Sequence, residues 1–328
     1  MFDGSTDMRV IIHGAGAIGG VVGGHLALAG TKVIMIGRCG HVNNIREQGL
    51  KLTTPCGTYI LKLPAVTTPD QVDFGPKDVV FLCVKSQDTE QALRDLRAVV
   101  TDVPIFCFQN GVRNEEIASK FFPVVYGVAV RVRSIFLTDG EVTAGNDPPG
   151  SLVMARYPAS SDATVESVAA ELRRAGFLVL VSSDMMACKW GKLLMNLSNA
   201  FDAITDVDDK NSPIIKAARL EAERILAQAG IRWMSTKELA MKWPELGMPA
   251  RKSLILKERN STWQSLARGK ATVETEFLNG EIVRVANLIG CHAPINEALE
   301  HITQQMAAKH ELPGKYTPYE LCRLLKLN

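Results

Sequence analysis

Two stretches of this 328-residue chain carry side chains whose types and spacing can do chemistry. In KWGKLLMN, residues 189–196, two lysines and an asparagine stand in a run otherwise mostly apolar or aromatic. At about 100° per helical residue, Lys192, Asn196 and Asn199 fall within about 60° of one another, while Trp190, Leu194 and Leu197 point elsewhere. An ammonium beside two amides can protonate a developing oxyanion and orient a polar substrate. The bland reading of a lone helical lysine is a solvated face, its stem lying along apolar surface. The second stretch, GAGAIG at 14–19, matches G-x-G-x-x-G between the strand-like RVIIH and the helical GVVGGHLALAG. In that context Gly14 makes a tight turn, Gly16 lets backbone approach a pyrophosphate, and Gly19 permits helix against strand. The phosphates would sit on the helix N-terminus at Ala17 and Ile18, where free N–H groups and the dipole favour an anion. The alternative is a merely structural glycine turn.

Other polar residues stand where strands end, the edge at which open α/β sheets bind ligands. The second strand ends MIGRCG, and Arg38 stands where an NAD or FAD site usually places an acidic residue for the ribose hydroxyls. A guanidinium pairs bidentately with a 2′-phosphate, so NADP is the predicted cofactor, against the alternative of a surface arginine. Lys85 follows FLCV, and Asn110 follows IFCFQ and precedes Gly111. Each is a site candidate, with a helix cap or turn residue as the plainer reading.

The elements that must position these groups are legible as patterns. RVIIH, KVIMI, DVVFLCV, VPIFCF and VVYGVAV alternate with helical stretches, which predicts a parallel sheet with crossover helices. LKLTTPCGTYILKL, 50–63, reads as a hairpin, and TAGNDPPGSL, 143–152, as loop. ATVESVAAELRRAG, 163–176, is a helix closed by Gly176, followed by the strand FLVLV. After SSD, 182–184, strand signals vanish and helical periodicity runs to the C-terminus, with Ser212 capping and Pro213 opening a helix that Gly230 closes. The expected fold is a Rossmann-type doubly wound α/β domain over residues 1–182, binding NADP, followed by an all-α substrate and catalytic domain over 183–328.

Composition narrows the function further. With 37 basic and 35 acidic residues the net charge is +2, which offers no electrostatic basis for holding nucleic acid. Seven scattered cysteines, never spaced C-x-x-C, fit reduced thiols in a cytoplasm, and no His/Cys set has metal-ligand spacing. Residues 10–31 lack formal charge, but seven glycines and two histidines there argue against a membrane span. The opening MFDGSTD lacks the basic and apolar segments of a signal peptide. The apolar helical half can bury its surface within the chain or across a two-fold axis, so a homodimer is one of two arrangements composition allows.

Taken in order, GAGAIGG, the VK at 84–85, the QNG at 109–111 and W-G-K-L-x-x-N resemble the ketopantoate reductases, also called 2-dehydropantoate 2-reductases. STWQSL, VETEFLNGEIV and APINEALEHI resemble that family's later segments, so the likeness spans residues 8–310. The resemblance implies NADPH-dependent reduction of a 2-keto acid, ketopantoate, to pantoate on the way to pantothenate. It implies that Lys192 is the catalytic lysine, that Asn196 and Asn110 bind substrate, and that Ser261 contacts it, with Thr262 as the alternative match. It further implies that Glu274 grips the substrate hydroxyl, and that Arg38, Lys85, Asn110 and Glu274 lie on the cofactor side. From the residues alone, Glu274 reads as a helix-surface carboxylate paired with Lys270 at i, i+4. The chain departs from the family pattern at Ala200, where an asparagine is usual and Asn199 lies beside it, at TAG-NDPPG, and at Arg113. These departures leave room for a related reductase of another 2-keto acid or an imine. A non-catalytic NADP sensor is the rival from another class.

Overall fold

A computed structural model of the chain describes residues 8–247, 250–255 and 260–327. The opening MFDGSTD lies outside the described residues. Two compact units are present, Met1–Lys189 with Ser235–Ile255, and Trp190–Met234 with Leu256–Asn328.

The first unit is built on an eight-stranded sheet. In chain order its strands are β1 (Arg9–His13), β2 (Lys32–Ile36), β5 (Ala65–Val66), β6 (Asp78–Leu82), β7 (Ile105–Cys107), β8 (Val125–Val132), β12 (Gly150–Arg156) and β13 (Leu178–Val181). Between them in sequence come β3 (Leu50–Thr54), β4 (Gly57–Leu61), β9 (Ser134–Ile135), β10 (Glu141–Ala144) and β11 (Asn146–Asp147). The main sheet runs β13-β12-β8-β7-β6-β1-β2-β5, parallel throughout except that β12 lies antiparallel to β8. Its strands are rich in β-branched residues because both faces are covered. Val10, Ile12, Phe81 and Val128 pack with α1 (Ala17–Leu28), α2 (Cys39–Gln48) and α5 (Ala163–Arg174). Ile11, Val80, Leu82 and Ile105 pack on the other face with α3 (Thr89–Arg97) and α4 (Asn114–Ser119). The expected hairpin at 50–63 is present as the antiparallel pair β3 and β4.

Two expectations are corrected. The stretch 143–152 is not simply loop: it holds the end of β10, all of β11 and the start of β12. Nor do strands cease after residue 184, because β14 (Lys252–Ser253) pairs antiparallel with β11. Backbone bonds from Arg251 N to the Asp147 carbonyl (2.7 Å) and from Leu254 N to the Gly145 carbonyl (2.8 Å) extend that pairing. Two-residue strands are too short for alternation to reveal. Their pairing, with α9 (Thr236–Lys242) joined to Asp184 by the Lys242 ammonium, is what makes Ser235–Ile255 part of the first unit.

The second unit contains only helices and turns among the described residues. α6 (Met185–Asn196) enters it at Trp190 and is followed by α7 (Ser198–Thr205), α8 (Pro213–Gln228), α11 (Ser261–Ala267), α12 (Asn279–Leu288), α13 (Pro294–Ala308) and α14 (Pro318–Leu324); the short α10 (Pro244–Gly247) lies in the first unit. Ser212 caps α8 as expected, its hydroxyl accepting from Ile214 N at 3.3 Å, and Gly230 closes the helix at φ +67°. The core is formed by Phe201, Ile204, Ile214, Leu266, Leu299 and Met306. Gly191 is required by packing: a Cβ there would lie 1.8 Å from the Met234 carbonyl oxygen. No helix among the described residues is long and apolar enough to cross a membrane.

Candidate active site

The loop after β1 assigns each glycine a distinct duty. Gly14 has φ +111°, and a Cβ on it would sit 2.5 Å from Val84 N, so it turns the chain tightly against the loop after β6. A Cβ on Gly19 would stand 2.2 Å from the Gly14 carbonyl oxygen and 2.7 Å from Ile12 Cγ2, so this glycine lets α1 lie on the strand. At Gly16 a Cβ meets nothing closer than Phe136 Cδ1 at 4.0 Å. Packing therefore does not require glycine at position 16, whereas a phosphate approaching the backbone does. Gly16 is the N-cap of α1, with no side-chain cap and no acidic residue in the first turn, and Ala17 and Ile18 follow half-buried. The helix start thus keeps its partial positive charge for an anion. His13, just before the loop, is buried and its pKa is lowered to about 4 by desolvation, so it stays neutral there near pH 7.

Arg38, Lys85 and Asn110 follow β2, β6 and β7, which with β1 are contiguous in the sheet, so the first unit brings these three and the glycine loop to one carboxyl edge. Arg38 is 77% exposed and 3.5 Å from Asp88 Oδ2. An exposed pair of that length contributes about 0–1 kcal/mol and is readily exchanged for a phosphate. Lys85 is half-buried and caps the short helical turn Ser86–Asp88. Asn110 precedes Gly111 (φ +79°), and its carbonyl accepts from Asn114 Nδ2 at 2.8 Å and Ser86 Oγ at 3.3 Å. The turn reading thus holds for its backbone. Below it lies a buried polar cage that sequence reasoning missed. Gln109 Nε2 donates to Thr89 Oγ1 (2.6 Å), Thr89 Oγ1 to Asn114 Oδ1 (2.9 Å), and Asn114 Nδ2 to Ser86 Oγ (3.2 Å). The Lys189 ammonium completes it, paired with Glu115 Oε1 and donating to the Gln109 carbonyl at 3.3 Å.

In the second unit, Lys192 and Asn196 are half-buried on α6 and Asn199 is buried on α7. The expected continuous helix is interrupted at Leu197, but that residue keeps helical dihedrals (φ −61°, ψ −25°) and its N–H still reaches the Leu193 carbonyl at 3.1 Å. The stripe therefore retains helical spacing. The carbonyl of Leu197 accepts from Asn279 Nδ2 at 3.3 Å, and the same amide donates to Asn296 Oδ1 at 3.0 Å. Asn296 in turn donates to the Ala218 carbonyl (2.9 Å) and Glu221 Oε2 (2.8 Å). This network, centred on the buried Asn279 and Asn296, holds the α6–α7 junction against α8, α12 and α13. The asparagines of the L-N-G and P-I-N segments were its signal in the sequence. Ala200, where the family pattern has asparagine, is packed in the apolar core.

Ser261 is the first residue of α11 and half-buried, whereas Thr262 is 1% exposed. Asn260 caps that helix and donates to Asp202 Oδ2 at 2.8 Å, tying α11 to α7. The side chains of Asn196, Asn199 and Ser261 make no hydrogen bond to any described residue. Glu274 is 5% exposed and opens a 3-10 turn, Glu274–Phe277. Lys270 is exposed, lies outside any helix and forms no ion pair with a described residue, so the helix-surface pairing is not formed.

A family model described as ketopantoate reductase PanE/ApbA matches residues 10–158, and one described as ketopantoate reductase PanE/ApbA C terminal matches 184–307. The chain is 30% identical to a 2-dehydropantoate 2-reductase of Pyrococcus horikoshii, over 94% of this chain and 99% of that protein. Its fold is similar to that of the crystal structure of a PanE/ApbA family ketopantoate reductase from Ralstonia eutropha, with a TM-score of 0.77, 30% identity, and 92% and 99% of the two chains covered. D-mandelate dehydrogenase, solved with NADH and anilino(oxo)acetate, shares the fold at a TM-score of 0.79 and 22% identity, covering 92% and 99%.

Proposed function

The chain belongs to the ketopantoate reductase family, and from that premise we propose that it reduces 2-dehydropantoate to pantoate with NADPH, the reductive step towards pantothenate. The observation that carries this reading is the Lys192–Asn196–Asn199 stripe, a half-buried ammonium followed by two amides whose hydrogen bonds are not taken up by described residues.

The nucleotide would be held by Gly14, Gly16 and Gly19, by the N–H groups at Ala17 and Ile18, and by Lys85, with Arg38 on the 2′-phosphate. When bound it supplies the hydride to the keto carbon. Every other part of the chemistry falls to this chain's side chains. Negative charge grows on the carbonyl oxygen as the hydride arrives, and the Lys192 ammonium both stabilises that charge and delivers the proton. Asn110 and Asn196 orient the keto acid, Asn199 and Ser261 add hydrogen bonds, and Glu274 accepts one from the substrate hydroxyl. Uncharged donors leave the lysine as the group whose interaction strengthens most between substrate and transition state.

NADPH oxidation with ketopantoate, with NADH as control and a panel of other 2-keto acids, β-keto acids and imines alongside, tests the proposal. The reading expects ketopantoate with NADPH to give the highest kcat/KM. A higher value on another carbonyl compound or imine would move the enzyme to a related reduction, and NADPH binding without turnover on any of them would make it a sensor.

A further inference from the structure

Arg131 is anomalous among the arginines of the first unit. Arg9 and Arg174 each pair with a carboxylate, Asp78 and Glu171. Arg131 has no ion pair or hydrogen bond from its guanidinium to any described residue, and its Nη2 is buried and unbonded. Burial lowers its pKa, opposed among the described residues by the nearby Cys188 thiol. A charged donor whose buried nitrogen is left unbonded by the described residues is costly, so an incoming anion would be favoured there.

Its place in the fold says which partner. β8 is paired to β7 only through Gly127, and Val128–Val132 runs on past the end of that neighbour, at the carboxyl edge where Asn110 also lies. Side chains alternate along the strand. Tyr126, Val128 and Val130 enter one core, whereas a Cβ on Gly127 would meet Met185 Sδ at 2.5 Å and Glu115 Cγ at 3.2 Å. Arg131 shares that second face, where the start of α6 lies. Along the first turns of α6, Met185 abuts Gly127 and Cys188 lies near Arg131. The phosphate loop, by contrast, follows β1, three strands away in the order β8-β7-β6-β1, or roughly 14 Å at the usual strand spacing. The cofactor's phosphates are thus accounted for elsewhere, and the anion available near the reacting end of a 2-keto acid is its own carboxylate.

We propose that Arg131 binds the carboxylate of the keto-acid substrate through charge-assisted hydrogen bonds from its guanidinium. The inference rests on the proposed reduction and adds to it a determinant for acids over their neutral esters. The fork of the guanidinium matches a carboxylate bidentately, which a lysine does not reproduce.

The test uses the full chain and its Arg131→Gln and Arg131→Lys variants, with ketopantoate, its methyl ester and NADPH, and melting curves to establish folding. Arg131→Gln is expected to raise KM for ketopantoate roughly ten- to hundredfold, leave kcat far less affected, and abolish the preference for acid over ester. Arg131→Lys should fall between, and it serves alone if the glutamine variant does not fold. A KM within about twofold of the parent's in the folded variants, or equal losses on acid and ester, would overturn the proposal. A separate arm titrates oxamate, an unreactive keto-acid analogue, into the NADP-loaded proteins by calorimetry. Tight binding to the parent and weak binding to Arg131→Gln supports the site even if ketopantoate is not turned over. Equal binding to both, or none to the parent, overturns it, whereas absent turnover with oxamate binding intact refutes only the assigned substrate.

Discussion

Successive turns of α6 place the same side chain in different surroundings. Lys189 is 3% exposed, and its charge is consumed by Glu115, whose own side chain is fully buried, and by the Gln109 carbonyl. Lys192, three residues on, stays half-buried on a stripe with two amides not bonded to described residues. The glycine loop repeats the contrast: Gly19 is demanded by backbone 2.2 Å away, whereas Gly16 faces open space to 4.0 Å. In each pair one member is committed to the fold, and the other is the one to which the proposed function gives a ligand. Residue type does not distinguish them; the surroundings do.

The contrast breaks if the two members respond alike to substitution. Lys192→Ala is expected to cut kcat about 10²- to 10⁴-fold, the usual worth of a positioned general acid, with the unfolding midpoint unmoved in the same preparation. Lys189→Ala should do the reverse, costing about 3–5 kcal/mol in denaturant titrations because Glu115 is left buried and unpaired. Replacing both partners, as Lys189→Met with Glu115→Leu, should recover most of that loss. A Lys189 variant of full stability would show that the buried pair contributes little.

The glycines sharpen the same point with smaller effects. Gly19→Ala should destabilise the protein by about 1–3 kcal/mol, since backbone rather than a flexible side chain must move. Gly16→Ala should melt like the parent yet bind NADPH more weakly, read by fluorescence titration. Equal melting losses in both would remove the ligand explanation for Gly16. Smallest of all, Arg38→Ala should weaken NADPH about tenfold and leave NADH unchanged. Similar losses for both nucleotides would show that the guanidinium does not read the 2′-phosphate.

Of the two committed members, Gly19 was legible in its motif and Lys189 was not. Runs such as RVIIH and DVVFLCV announce buried parallel strands by composition alone, and GAGAIG carries its turn, helix start and packing contact within six residues. Lys189 and Glu115 lie 74 residues apart, and nothing in either neighbourhood signals the other. The Gln109–Thr89–Asn114 cage likewise joins three segments by single side chains, and β11 with β14 is too brief for periodicity. Lys192 was legible as part of a polar stripe, and its proposed catalytic role came only from its order with QNG and the later motifs. Glu274 shows the limit of local spacing, since i, i+4 from Lys270 means contact only if a helix joins them, and here the chain between them is not helical.

The most direct test is to follow NADPH absorbance with ketopantoate in the parent and in Lys192→Ala, both shown to be folded. Steady oxidation by the parent, a rate lower by about 10²-fold or more in the variant, and unchanged NADPH affinity in both are expected. Comparable rates from the two proteins would contradict the role proposed for Lys192, because the reduction would then draw its proton from some other group.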